Sequence, residues 1–434
     1  MACGFMVAIV HILHGKETGR EVELRGWIYR TRSVGGKVFV VLRDATGILQ
    51  VTVARDAVSP PAFEAIERAL IESSVVVRGK VVEDKRAPGG FEVRASDARV
   101  VHYAEKFPIQ EDLSEEFLLD VRHLWIRSQR MTTIFRVRHT VFEAVHEYFR
   151  GQGFWEAHPP MITPAGSEGG ATLFGVDYFG RKAFLTQSWQ LYAEALALAM
   201  EKVYYIAPSF RAEKSRTTRH LTEYWHAEME EAWAGMEEVI RHAEAVISHA
   251  CRRAAEERAD EIVSLGRTPE FLKAVKPPFE WITYDEAIEI LRKKGMEVEW
   301  GKDLRTLEER RLTEGKTKPI VVYRYPRVSQ AFYKARDPKD PEYVLAFDVI
   351  GGDDVGEIVG GSERETDLET IRKALLEQGE DPKAYEWYLD SRRYGSVQHA
   401  GFGMGMERLI QWICKLDHIR DAVPFPRTPA RFAP

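Results

Sequence analysis

The chain has 434 residues, 44% of them hydrophobic and 29% charged, with a formal net charge of −6. That length predicts about two or three domains and enough apolar surface for a large core. No apolar run reaches the ~18 residues a membrane span needs, the first ten residues lack a signal-peptide pattern, and Cys3, Cys251 and Cys414 are too scattered for a zinc site or a disulfide framework. A cytoplasmic protein with no membrane partner is expected. The acidic balance gives no global sign of nucleic acid. Its distribution does: Arg25, Arg30, Arg32, Lys37 and Arg43 fall in a stretch with no acid, interleaved with Trp27, Tyr29 and Phe39. Basic strands carrying aromatics suit single-stranded RNA, by neutralising its backbone and stacking its bases.

In chain order, residues 1–10 are mildly apolar and predict a first strand. Five short β-runs follow at 21–32, 37–43, 48–54, 74–82 and 91–102, punctuated by Gly35-Gly36, Thr46-Gly47 and Pro88-Gly89-Gly90. Between the third and fourth, 60–71 has helical spacing, with Phe63, Ile66, Ala69 and Leu70 on one side. Five strands with one helix after the third is the order of an OB-fold barrel, so an all-β domain over 1–103 is expected. Residues 104–130 read as a hinge: they carry Pro108, six acids from Glu105 to Asp120, and little periodicity. A long amphipathic helix runs from Met131 to about Arg150, with Ile134, Val137, Val141, Val145 and Phe149 on one face. Gly151-Gln152-Gly153 ends it. Strands are then predicted at 203–212, 223–233, 319–325 and 343–349, and helices at 190–200, 237–259, 284–294 and 368–378. Residues 263–318 read as a charged, helix-rich insertion. The whole predicts an α+β catalytic domain over 131–434 behind the barrel.

Two strings carry the chemistry. Arg211 lies in Phe210-Arg211-Ala212-Glu213, and Arg408 ends Gly401-Phe402-Gly403-Met404-Gly405-Met406-Glu407-Arg408. A guanidinium grips phosphate oxygens through paired charge-assisted bonds, so two on separate elements could hold a triphosphate at both ends. The glycine string does not sit in a strand–turn–helix dinucleotide unit, which removes the Rossmann reading. Glu357 sits among apolar residues in Val355 to Val359, where a carboxylate is costly unless it is paired or binds a metal.

In this order and spacing the two strings resemble motifs 2 and 3 of class II aminoacyl-tRNA synthetases, and the 131–160 helix–strand–proline unit resembles motif 1. The resemblance spans essentially the whole chain and is strongest to the aspartyl/asparaginyl subgroup, subclass IIb. Glu168-Gly169-Gly170-Ala171-Thr172-Leu173-Phe174, residues 211–226 and Gly356-Glu357-Ile358-Val359-Gly360-Gly361-Ser362 resemble the archaeal-type asparaginyl enzymes. The resemblance implies ATP-dependent activation of asparagine to its adenylate, transfer to the 3′ end of tRNA(Asn), Mg²⁺ as cofactor, and a homodimer formed through motif 1. Arg211 would contact the α-phosphate and the substrate carboxylate, Arg408 the γ-phosphate, and Glu213 the adenine edge. Arg219, His220, Leu221, Gly405 and Glu407 would line the nucleotide. Asp348 and Glu357 would hold Mg²⁺. Glu168, Gln187 and Gln190 would serve the substrate ammonium, and Arg364 the side-chain oxygen. Glu228 stands where the aspartyl pattern has Asp; a carboxylate there would accept from the asparagine NH₂ and repel aspartate. Thr218 stands where the family has a second arginine, which removes one basic contact. In the barrel, Arg32, Phe39, Gln50 and Glu92 match anticodon positions, with a buried core role as the alternative for Phe39 among Val38, Val40 and Val41.

Three rival readings remain at this point. An aspartyl enzyme, discriminating or not, is disfavoured by Gly360-Gly361. A synthetase-like asparagine synthetase typically lacks the barrel domain. A non-catalytic RNA-binding relative should have lost Arg211, Glu357 or Arg408.

Overall fold

The computed structural model describes residues 6–109, 113–166, 172–214 and 217–434, which divide into two compact units, 1–119 and 120–434. In the first unit, helix α1 (Ile9–Leu13) begins at the end of the run where a strand was predicted; residues 1–5 of that run lie outside the described residues, and among the rest only Met6 makes a bridge, to Glu23. Ile9 and Ile12 are fully buried, so the apolar run serves one helical turn against the barrel rather than a ladder. Strands β1 (Glu21–Val34), β2 (Lys37–Arg43), β3 (Ile48–Ala54), β4 (Ser74–Glu83) and β5 (Phe91–His102) close into a barrel of order β1-β2-β3-β5-β4. Strict alternation drives this: Val38, Val40 and Leu42 on β2, and Leu49, Val51 and Val53 on β3, are all buried. Helix α2 (Pro60–Arg68) starts at Ser59, which accepts from the Ala62 amide, and buries Phe63 and Ile66.

Two short helices, α3 (Glu115–Asp120) and α4 (Arg122–Trp125), occupy part of the stretch read as a structureless hinge. Both are shorter than a periodicity window, and α4 is held by tertiary bonds: Arg122, nearly fully buried, donates to the backbone carbonyls of Arg420, Val423 and Pro424. In the second unit, α5 (Gln129–Gly151) is capped by Ser128 and buries Met131, Ile134, Val137, Val141, Val145 and Phe149. There follow β6 (Trp155–Glu156), β7 (Ile162–Thr163), β8 (Gly175–Tyr178), β9 (Arg181–Leu185), α6 (Gln190–Met200), β10 (Lys202–Phe210), β11 (Glu223–Ala232), α7 (Met236–Glu257), α8 (Ala259–Ser264) and α9 (Pro269–Lys273). The chain continues through β12 (Glu280–Thr283), α10 (Tyr284–Lys293), α11 (Thr306–Thr313), β13 (Ile320–Pro326), β14 (Arg336–Asp337), β15 (Asp340–Gly351), β16 (Gly356–Glu363), α12 (Leu368–Glu377), α13 (Glu386–Arg393), β17 (His399–Gly405) and α14 (Met406–Ile413).

Among the described residues the main sheet has the order β12-β13-β15-β16-β17-β11-β10-β6, mostly antiparallel, with β14 on β15. Helices α5 and α7 pack on one face around a core that includes Phe149, Ile240, Ile247, Phe347, Phe402 and Trp412. The 263–318 segment is helix-rich, and it also adds strand β12 to the sheet edge, parallel to β13.

The glycine-rich strings form β16 and β17, two central strands that propensity alone disfavours. Close approach explains them. A Cβ at Gly403 would lie 2.5 Å from His226 Nε2, and one at Gly361 2.6 Å from the Phe347 ring. The second unit therefore has a floor low enough for side chains of neighbouring strands to lie across it.

Candidate active site

The β10–β11 hairpin and the start of α14 build one end of a cleft. Arg211 leaves β10 with its amide bonded to the Thr222 carbonyl (3.0 Å), and Arg408 stands in the first turn of α14. Arg408 Nη1 donates to the Glu357 carbonyl (2.5 Å), and its Nη2 lies 3.4 Å from His220 Nε2. Arg211, Glu213, Arg219, His220, Leu221, Glu357, Gly405, Glu407 and Arg408 line this cleft, which encloses about 590 Å³ including its open mouth. The sequence expectation thus brings its nucleotide residues together. Burial, then Arg408, Arg219 and Arg211, push the His220 imidazole down to about 4, so it is neutral at pH 7 among three guanidiniums. Such a concentration of positive charge suits a polyphosphate.

Glu407 lines the cleft, as expected, and is also anchored inside the protein. It is fully buried, its carboxylate 2.7 Å from Arg138 Nη1 on α5 and accepting from the Trp225 amide (2.8 Å). With both oxygens engaged inside the protein, it ties α14 to α5 and β11 rather than presenting a free group to a nucleotide.

Asp348 on β15 and Glu357 on β16 converge over Gly360. A Cβ at that glycine would lie 2.7 Å from Glu357 Oε1 and 3.4 Å from Asp348 Oδ1. Burial, reinforced by the Glu357 charge, pushes the Asp348 carboxyl up to about 8. Asp348 therefore keeps its proton beside Glu357 until a cation takes the proton's place. Among the described residues no cluster of three or more His, Cys, Asp or Glu forms a closed metal cage. Two carboxylates completed by substrate phosphates and water is the arrangement Mg²⁺ commonly takes, so the residues fit that ion.

Beyond this point the cleft opens into a second cavity of about 1930 Å³, and Arg211, His226, Glu357 and Gly403 line both parts. Glu228 and Glu230 project from the same face of β11 into it, as their alternation requires, and each is nearly fully buried. Glu228 accepts from the Trp189 amide (3.0 Å) and lies 2.7 Å from His226 Nδ1. Burial would raise its carboxyl, but His226 and hydrogen bonds outweigh that and hold it below the usual range. Glu228 is therefore a carboxylate at neutral pH.

Arg364, expected at the substrate side-chain oxygen, lines the same cavity. Its Nε and Nη2 fork onto Glu230 (3.1 and 3.0 Å) and its Nη1 donates to Ser362 Oγ (2.7 Å), leaving one hydrogen on each terminal nitrogen for a ligand. Burial works against its charge, and Glu230 more than reverses that, raising its pKa. Gln190 reaches the cavity, but its amide donates to the fully buried Glu194 (2.9 Å), which also takes bonds from Tyr388 and Arg392 and contacts His399. Gln187 donates to Thr172 Oγ1 (2.6 Å). Glu168 lies outside the described residues. The sequence reading missed His226, Lys334 and Glu309 as lining groups. Glu230 was signalled by its parity with Glu228. Lys334 and Glu309 come from distant segments and carry no local sign.

In the first unit, Phe39 lies on the outward face of β2, half-exposed, with the Arg32 guanidinium 4.9 Å from its ring centre. It is absent from the barrel core, which takes Val38 and Val40 instead. The core alternative for Phe39 is thereby removed. Gln50 and Thr52 on β3 donate to Glu92 on β5 (3.0 and 2.7 Å), so Gln50 and Glu92 act as one linked pair on the same outer surface.

Comparison with known proteins agrees with this construction. Residues 114–429 match the family of class II tRNA synthetases (D, K and N), and residues 22–101 match the OB-fold nucleic acid binding domain. The chain is 48% identical over 416 residues to the asparagine–tRNA ligase of Thermococcus gammatolerans, covering 96% of each. The crystal structure of asparaginyl-tRNA synthetase from Pyrococcus horikoshii complexed with asparaginyl-adenylate superposes with a TM-score of 0.94 at 48% identity, covering 96% of this chain and 97% of that one. An aspartyl tRNA synthetase from Entamoeba histolytica gives 0.85 at 25% identity, covering 100% and 93%. The chain belongs to the class II tRNA synthetases, in the asparagine–tRNA ligase family.

Proposed function

We propose that the second unit joins asparagine to ATP and passes the asparaginyl group to tRNA(Asn), the barrel reading the anticodon. The observation that carries this reading is the continuity of the two cavities through Arg211 and Glu357, which puts phosphate-binding and amide-reading groups on one floor. The asparagine carboxylate attacks the α-phosphorus of ATP in line and expels pyrophosphate. Arg211, facing both halves, neutralises the two anions as they approach, and Arg408 holds the far phosphates. Asp348 and Glu357 would bind Mg²⁺, whose charge offsets that of the phosphates. A ribose hydroxyl at the tRNA 3′ end then attacks the acyl carbonyl and expels AMP. Glu213, Arg219, His220, Leu221 and Gly405 are the remaining nucleotide contacts, and Glu168, Gln187 and Gln190 serve the substrate ammonium. We place the enzyme in the cytoplasm; no described helix is long and apolar enough to cross a membrane. A homodimer through α5 and β6 is supported by Trp155, which is 61% exposed on the edge strand beside α5. Residues 104–130 serve as the connector between the anticodon domain (1–103) and the catalytic domain.

Glu228 is the proposed discriminator between asparagine and aspartate, because a buried carboxylate accepts from an amide and repels a second carboxylate. Glu228→Gln keeps the size and ends the repulsion. Asparagine-dependent pyrophosphate exchange should weaken by about 1.5–3 kcal/mol while aspartate-dependent exchange holds or rises. An unchanged ratio of the two rates moves discrimination to Arg364 and Glu230. On the barrel, Phe39→Ala should lower tRNA(Asn) charging about ten- to a hundredfold and spare adenylate formation, since one stacked base contributes roughly 1–3 kcal/mol. Equal loss of both activities would remove Phe39 from the RNA surface. The complete barrel, with Arg211, Glu357 and Arg408 all in the cleft, weighs against the asparagine-synthetase and non-catalytic readings.

A further inference from the structure

The role of 263–318 is open on sequence, and one of its side chains holds an arginine of the nucleotide cleft. Glu309, on α11, is nearly fully buried and forms an ion pair with Nη1 of Arg219, itself nearly fully buried. Arg219 also lines the nucleotide cleft, and its Nε, wholly shielded from solvent, has no acceptor among the described residues. A buried guanidinium held at one end, and without an acceptor among the described residues at the other, is oriented for a ligand.

A third element seats the pair. Gly356 opens β16 with φ +74°, and a Cβ there would lie 1.8 Å from Arg219 Nη1 and 2.6 Å from Glu309 Oε2. The next residue is Glu357. The ion pair therefore fills the hollow under the turn that launches the Mg²⁺-binding carboxylate. That turn is tied to the same helix a second time, by the fork of Arg310 onto Asp354, and α11 is anchored independently by the buried Leu312. The helix would stay docked without Glu309. What Glu309 adds is the direction of one guanidinium.

We infer that Glu309 is a positioning residue that aims Arg219 at ATP, making the 263–318 segment part of the nucleotide site rather than an appendage. Glu309 itself faces the larger cavity, but the guanidinium it holds lines the nucleotide cleft alone, so loss of the pair should be felt chiefly by ATP. The inference rests on the proposed nucleotide role of Arg219.

The test is pyrophosphate exchange by the full chain carrying Glu309→Gln, Arg219→Ala or both, with thermal unfolding in parallel. Glu309→Gln should raise KM for ATP about tenfold and leave KM for asparagine within about twofold. In the Arg219→Ala background it should add nothing further, because the residue it positions is gone. Glu309→Asp keeps the charge, shortens the reach, and carries the same test should the amide variant fail to fold: a rise in the ATP constant alone supports the inference, and an equal rise in both overturns it. An unchanged ATP constant in Glu309→Gln beside a damaged Arg219→Ala overturns the inference only. So does a full additive effect in the double variant. An unchanged ATP constant in Arg219→Ala overturns both the inference and the assignment of Arg219 to the nucleotide.

Discussion

Glu357→Gln should lose asparagine activation by on the order of a thousandfold while tRNA binding stays near wild type. Two acids crowd over Gly360, and burial, reinforced by the Glu357 charge, holds Asp348 protonated at neutral pH until a cation is shared. The amide removes one of the two anionic donors a divalent cation would share, and Asp348 by itself offers only one. The fold should survive: Glu357 is partly exposed and Arg408 bonds its backbone carbonyl, which the substitution keeps. The measurement is pyrophosphate exchange across a Mg²⁺ titration, with tRNA binding followed separately. Exchange restored fully at saturating Mg²⁺ would mean that Glu357 only tunes affinity, and exchange unaffected at any Mg²⁺ would place the metal elsewhere.

Glu230→Gln should be the most destabilising of the site substitutions. The Glu230–Arg364 fork is nearly fully buried, at 1% and 4% exposure, so removing the charge leaves a guanidinium short of its partner. Breaking one side of a buried pair costs about 3–5 kcal/mol. Arg364 also loses its orientation, and KM for asparagine should rise together with the drop in stability. Denaturant unfolding and exchange kinetics measure the two effects. A variant of wild-type stability with an unchanged asparagine constant would show that Arg364 is held by Ser362 and by Glu194 nearby rather than by Glu230.

How far the sequence carries depends on the range of the signal. The barrel was legible because each strand reports its own burial: alternation in β2 and β3 is a local property. The long helix α5 and the strands β10 and β11 read well for the same reason. The glycine-rich β16 and β17 were not legible as strands, since what makes them strands is the approach of His226, Phe347 and Phe402 from neighbours far along the chain. The same limit applies within the site. Arg211, Arg408, Asp348 and Glu357 stand in recognisable strings and do line the cleft. Glu407 and Arg364 stand in strings just as recognisable, yet partners from α5 and β11 occupy them. Pairing is a tertiary fact, and no spacing rule announces it. Glu309 is the extreme case, a functional candidate from a segment without a motif.

Whether this cleft selects asparagine is measured most directly by pyrophosphate exchange by the unmodified chain with asparagine or aspartate as the sole amino acid. Exchange should be strong with asparagine and at least about a hundredfold weaker with aspartate, because Glu228 stays ionised and places a second negative charge against the aspartate side chain. Comparable exchange with both amino acids, or a preference for aspartate, would contradict the account.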